Sequence, residues 1–203
     1  GVLFLLRSYN DIDHIVPIMW KCREHELSCY FLLVESNHSG DYRIRFIERH
    51  GAIRLYSRII NFYHGQVRRF LPLNYLRKVA DAIVGYTFGK HLLAKHNIEV
   101  VVTEWSGRSG RGQAKYILRP AFQKRLRVYS VPHGYNIYKN LDVSKTVAKF
   151  RQKSGRWPDF SSRNMFTRYV VQHEATQTFC EAYGIKAEKL IVLGSTRFCQ
   201  EWV

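Results

Sequence analysis

Acidic side chains are scarce in this chain of 203 residues: 16 Asp and Glu stand against 32 Lys and Arg, for a formal charge of +16 at pH 7. That excess creates a long-range field that draws anions, so nucleic acid, anionic lipid and nucleotide-activated substrates are the candidate partners. The imbalance is local. Residues 54–95 carry Arg58, Arg68, Arg69, Arg77, Lys78, Lys90 and Lys95 against Asp81 alone, and residues 108–127 carry no acid. Long apolar runs are missing too, none approaching the roughly 18 residues that span a bilayer, which excludes a membrane-crossing helix. The four cysteines, Cys22, Cys29, Cys180 and Cys199, lack the paired close spacing of a zinc site. A disulfide framework is not expected in a chain able to build a core of this size, so the thiols should be buried and reduced. No required metal is expected, for want of a His and carboxylate cluster. There is no internal repeat and no low-complexity tract. The chain opens on strand-like VLFLL with neither Met nor a charged leader and stops after Val203. A domain excised from a longer cytoplasmic protein, without a signal peptide, is therefore expected.

What is present alternates in period. VLFLL at residues 2–6 reads as a buried strand, and residues 11–26 place Ile12, Ile15, Val16, Met19 and Trp20 at helical spacing. Residues 29–34 form a second strand, DYRIRFIERHG a helix closed by Gly51, and residues 52–56 a third strand. A long helical region covers residues 74–97. Strand 98–105, a helix near 113–126, strand RVYSV, strand TRYVVQ, helix 175–183 and strand KLIVLG complete the pattern, and residues 139–163 show none. Near-continuous apolar strands alternating with helices predict a three-layer α/β/α, Rossmann-like domain with a mainly parallel sheet covered on both faces.

In such sheets ligands bind beyond the carboxyl ends of the strands, so residues just past a strand are candidates for a site. RVYSVPHGY, residues 127–135, delivers His133 and Gly134 there; the imidazole can act as a general base, and the glycine lets substrate approach the backbone. The alternative is a histidine that is merely hydrogen-bonded at a strand end. Glu104 ends the preceding strand, poised either to orient His133 or contact a substrate hydroxyl, or to pair with Arg108 or Arg111. Asn10 and Asp11 follow the first strand and would bind acceptor or cap a helix. His14, inside the helical pattern, reads as structural.

The order of a strand ending VVVTEW, a glycine-bearing loop and helix, a strand ending PHGY, and then YVVQHEATQTFCEAYGIKAEKLIVLGSTRF resembles the N-terminal domain of GT-B enzymes. The likeness is to the CDP-glycerol glycerophosphotransferase-like and surface-polysaccharide glycosyltransferase group, with UDP-N-acetylglucosamine 2-epimerase as a more distant relative. The opening LRSYNDIDHIVPIMWK is also similar to that group, whereas residues 56–97 and 139–163 match nothing. The resemblance implies an acceptor-binding domain over residues 1–193, a linker starting at 194–203, and a separate nucleotide-binding domain. It implies His133 as the base that deprotonates the acceptor, with Glu104 beside it and Gly134 and Tyr135 in the acceptor site. It implies no cofactor, only a nucleotide-activated sugar or polyol phosphate as donor. The residues would then serve half of a transferase that builds a surface polysaccharide or teichoic-acid-like polymer.

Two further segments could meet anions. SGRSGRGQ, residues 106–113, sets Arg108 and Arg111 between glycines ahead of a helix, an arrangement that can cradle phosphate or be a surface loop. In GSTR, Ser195 and Arg197 either turn into the linker or face the donor. RIINFYHGQVRRF and the LPLNYLRK after it mix apolar and aromatic residues with Arg58, Arg68, Arg69 and Arg77, the composition of a segment that docks on an anionic membrane face, or of a helix packed on the sheet. A nucleic-acid-binding module is the competing class; against it, no zinc finger or other recognition motif is readable.

Overall fold

The computed structural model describes residues 1–34, 38, 40–56, 62–67, 70, 74–105, 107, 110, 112–132, 145–200 and 202. Seven strands, β1 (Val2–Leu6), β2 (Cys29–Leu33), β3 (Ile53–Arg54), β4 (Val100–Glu104), β5 (Arg127–Val131), β6 (Arg168–Val171) and β7 (Leu190–Val192), form one sheet in the order β3-β2-β1-β4-β5-β6-β7. Every pairing is parallel. The interior strand β1 is apolar throughout because both its faces are covered. Leu3 and Leu5 point into one core, Phe4 and Leu6 into the other, and all four are at most 1% exposed. Removing such a side chain from water contributes about 1.5–3 kcal/mol, enough for burial on two faces to fix the strand in the interior of the sheet.

Helices cover each face. On one, α1 (Tyr9–Glu24) and α2 (Tyr42–Arg49) bury Ile12, Ile15, Val16 and Met19, and Ile44 and Ile47. On the other, α4 (Lys90–Lys95) supplies Leu92 and Leu93, α5 (Lys115–Gln123) supplies Ile117, Leu118 and Ala121, and α7 (Glu174–Ala182) supplies Cys180. α3 (Asn74–Val84) runs into α4 through a π-helical turn, Gly85–Gly89, so the long helical region expected from periodicity is one continuous, locally underwound element. α6 (Lys145–Ser154) falls in the stretch where no pattern was expected. Its residues 148–154 are all exposed, and over such a stretch there is no buried face to impose an apolar period.

The π-helical turn packs by backbone. Pro120 has no N–H to offer the Tyr116 carbonyl one turn earlier in α5, and Gly89 lies directly against that oxygen. A Cβ on Gly89 would sit 1.9 Å from it, whereas one on Gly85 would meet nothing nearer than 3.5 Å. Asp81 of α3 then locks the pair of helices. Its carboxylate accepts hydrogen bonds from Lys115 Nζ (2.5 Å), the Tyr116 hydroxyl (2.8 Å) and the Tyr63 hydroxyl (3.0 Å). Burial alone would raise its pKa, but these donors hold it below the usual carboxylate value.

Helix propensity favours Ala over Gly by about 1 kcal/mol at both positions, so packing decides the sign of each substitution. In urea unfolding, Gly85→Ala should be neutral or stabilising, and Gly89→Ala should lose about 1–3 kcal/mol to the overpacked contact.

Candidate active site

The chain order reverses between β1 and β4. From β1 it winds outward to β2 and β3, and from β4 it winds the other way, so the loops leaving β1 and β4 part and open a crevice at their carboxyl ends. Parallel pairing of Val2, Leu3 and Phe4 with Val100, Val101 and Val102 brings the two strand ends level. Arg7 leaves β1 and Glu104 ends β4. Their side chains meet with Arg7 Nε 3.6 Å from Glu104 Oε1, and Glu104 is 4% exposed.

Arg7 also faces Asp11, 4.0 Å away and fully buried. Asp11 is held by local geometry. Ser8 is the N-cap of α1, and the Asp11 carboxylate reaches back to accept the backbone N–H of Arg7 (2.9 Å) and of Ser8 (3.0 Å) and the Ser8 hydroxyl (2.9 Å). The cap is thus Ser8, not Asn10 or Asp11, because Ser8 is the residue with extended backbone at the start of the helix. Asn10 is exposed in the first turn. Arg7 Nε is buried and donates no hydrogen bond, so the cation faces two carboxylates without being pinned to either. Periodicity did not single out Arg7. The signal available was its place directly after the first apolar run.

Glu104 continues into a network across the sheet. Its carbonyl accepts from Ser130 Oγ (3.2 Å), and Ser130 lies beside Tyr169 in the register of β5 with β6. The Tyr169 hydroxyl accepts from Arg163 Nε (3.1 Å), and Trp105 stands edge-on to the Tyr169 ring. Burial pushes the Tyr169 phenol well above its ordinary value, so it stays protonated. β5 ends at Val131, directly across from Glu104, and the chain passes through buried Pro132 toward His133. His133, Gly134, Tyr135, Arg108 and Arg111 lie outside the described residues, and with them the pairings expected of Glu104; its contact with Arg7 was not among those expected. The carboxyl edge of β6 also presents His173, which caps α7 by accepting the Thr176 N–H on Nδ1 (3.3 Å).

Ser195 and Arg197 pack on α1. The Ser195 hydroxyl is 3.1 Å from Nδ1 of buried His14, and Thr196 donates to the His14 carbonyl. Arg197 pairs with Asp13 at 2.8 Å, and Asp13 also takes Arg43 at 2.6 Å. Asp11 and Asp13 have the spacing of an Asp-x-Asp pair, yet one turns to the β1 loop and the other to these arginines. Arg43 is 1% exposed, bonds Asp41 at 2.6 Å and lies over the Tyr9 ring. The Arg43 bond, partly opposed by burial, holds the Asp41 carboxyl below its usual value. Among the described residues no group of three His, Cys, Asp or Glu side chains converges as a metal site would.

One parallel sheet covered by helices on both faces, with its chain order reversing between β1 and β4, defines a Rossmann-like α/β domain. Solved structures share that fold. A glycosyltransferase from Rickettsia africae superposes with a TM-score of 0.53 at 11% identity, over 95% of this chain and 42% of its own. A Listeria monocytogenes protein described as a UDP-N-acetylglucosamine 2-epimerase superposes with a TM-score of 0.54 at 13% identity, over 97% of this chain and 45% of its own. The chain thus spans less than half of either protein, and identities this low establish the fold alone. No family model matches the chain, and no curated protein sequence does.

Arg7→Met removes a cation from beside buried Glu104 and should cost about 3 kcal/mol in urea unfolding; adding Glu104→Gln should recover part of that loss. Asp41 stabilises the fold above its unfolded pKa of about 3.9, and that contribution is lost as pH falls through its lower folded value. Asp41→Asn should therefore cost stability at pH 7, and the difference from wild type should shrink below about pH 4.

Proposed function

We propose that this chain is the acceptor-binding half of a GT-B-type transferase, which moves a glycosyl or polyol-phosphate group from a nucleotide-activated donor to a growing surface polysaccharide or teichoic-acid-like polymer. The observation that carries the reading is the meeting, at the ends of β1 and β4, of half-buried Arg7 with buried Glu104 beside the strand that leads to His133. The fold shared with a glycosyltransferase supports it. In this reading His133 takes the proton of the acceptor hydroxyl, whose oxygen attacks the sugar carbon or phosphorus as the nucleotide leaves. Glu104 orients the imidazole or binds an acceptor hydroxyl, and Arg7 sets a positive charge beside that carboxylate. The donor nucleotide sits in a second domain, and no resident cofactor is required. CDP-glycerol is the donor suggested by the sequence motifs, and a nucleotide sugar is the donor suggested by the fold.

In the protein carrying both halves, His133→Ala should slow transfer on the order of a hundredfold to ten-thousandfold while donor affinity stays near wild type, since the base acts on the acceptor in the transition state. Radiolabelled UDP-sugar and CDP-glycerol donors read the two arms; near-normal turnover by the variant would leave His133 a scaffold residue. The likeness to the epimerase-described protein favours one alternative. Interconversion of UDP-N-acetylglucosamine epimers without any acceptor would establish that reading in place of transfer.

A further inference from the structure

On the face that carries α4 and α5, α3 turns an apolar stripe to solvent. Leu76, Val79, Ile83 and Tyr86 recur at steps of three and four residues and so share one side of the helix, and they are 39% to 58% exposed. A groove of about 310 Å³ runs along this stripe between Ile83 and Tyr86 on one bank and Arg119 and Gln123 of α5 on the other. Arg119 and Gln123 also border a second cleft, of about 630 Å³, with Phe122, Met165 and Lys115 in its walls. The surface is cationic as well as apolar. Lys78, Lys90 and Arg119 are exposed around it, and Asp81, the single acid of α3, α4 and α5, is taken up by Lys115, Tyr116 and Tyr63.

The chemistry of this face selects its partner. A second copy of the chain would bring the same positive charge against it, since each copy carries +16. Three of the four stripe residues are aliphatic, which suits acyl chains and offers little to stacked bases. We propose that α3 and α5 form a docking surface for an anionic lipid bilayer, with Leu76, Val79, Ile83 and Tyr86 entering the headgroup boundary and Lys78, Lys90 and Arg119 among the lipid phosphates. The surface stands on this geometry, independently of the transferase reading. Of the arginines expected in a membrane contact, Arg77 lies in α3, and Arg58, Arg68 and Arg69 lie outside the described residues.

Sedimentation of the chain with phosphatidylcholine vesicles, with and without phosphatidylglycerol, tests the proposal at low and high salt. Binding is expected to need phosphatidylglycerol and to weaken with salt. Lys78→Gln and Arg119→Gln should each lower partitioning about fivefold, and Val79→Ser with Ile83→Ser should lower it at least about tenfold. All four positions are solvent-exposed, so unchanged circular dichroism melting should accompany the loss. Equal binding by wild type and variants, salt-independent binding to phosphatidylcholine alone, or retention of an RNA oligomer in preference to vesicles would overturn it.

Discussion

The parallel pairing of β1 with β4 is the constraint on which the rest of the molecule depends. It joins residues almost a hundred positions apart, divides the helices between the two faces, and opens the crevice at the point where the chain order reverses. It also creates an electrostatic problem, because the buried carboxylates of Asp11 and Glu104 arrive at the same edge. Arg7 answers it from between them, and Asp11 is further held by two backbone N–H groups and a hydroxyl. A buried charge without such partners would cost several kcal/mol. The proposed site and the stability of the sheet edge therefore involve the same side chains.

The interior treats charge very differently from the surface. Inside, each described ionic group has a counterpart: Arg43 with Asp41 and Asp13, Lys115 with Asp81, Arg7 with Glu104. The excess of positive charge is left to the exterior. Asp13 links two regions, since it bonds Arg43 of α2 and Arg197 of the segment after β7, and Ser195 and Thr196 bind His14 beside it. Trp202 follows by packing on Trp20 and Phe46. Ser195, Thr196, Arg197 and Trp202, within the segment 194–203 expected to begin a linker, thus contact α1.

Much of the fold was legible because each strand and most helices carry a period that burial imposes. β1 is uniformly apolar as a two-sided strand must be, and Ile12, Ile15, Val16 and Met19 mark the buried side of α1. α6 escaped notice because it buries no described side chain. Glu104 was legible as a strand-end acid. Its contact with Arg7 was not, because Arg7 becomes a neighbour only when β1 pairs with β4.

By itself the sequence determined the alternation of strands and helices, the parallel sheet, the absence of any long apolar helix and the strand ends where chemistry would gather, because these follow from local period and composition. Tertiary structure decided which strand ends meet, which carboxylates are compensated, and that Ser195 and Arg197 serve α1. It also decided that the stripe on α3 stays uncovered and that Gly89, not Gly85, is indispensable to packing. The physical reason is the same for all of these. Each depends on the distance between groups far apart in the chain, and that distance is set only when the two cores close on either side of the sheet.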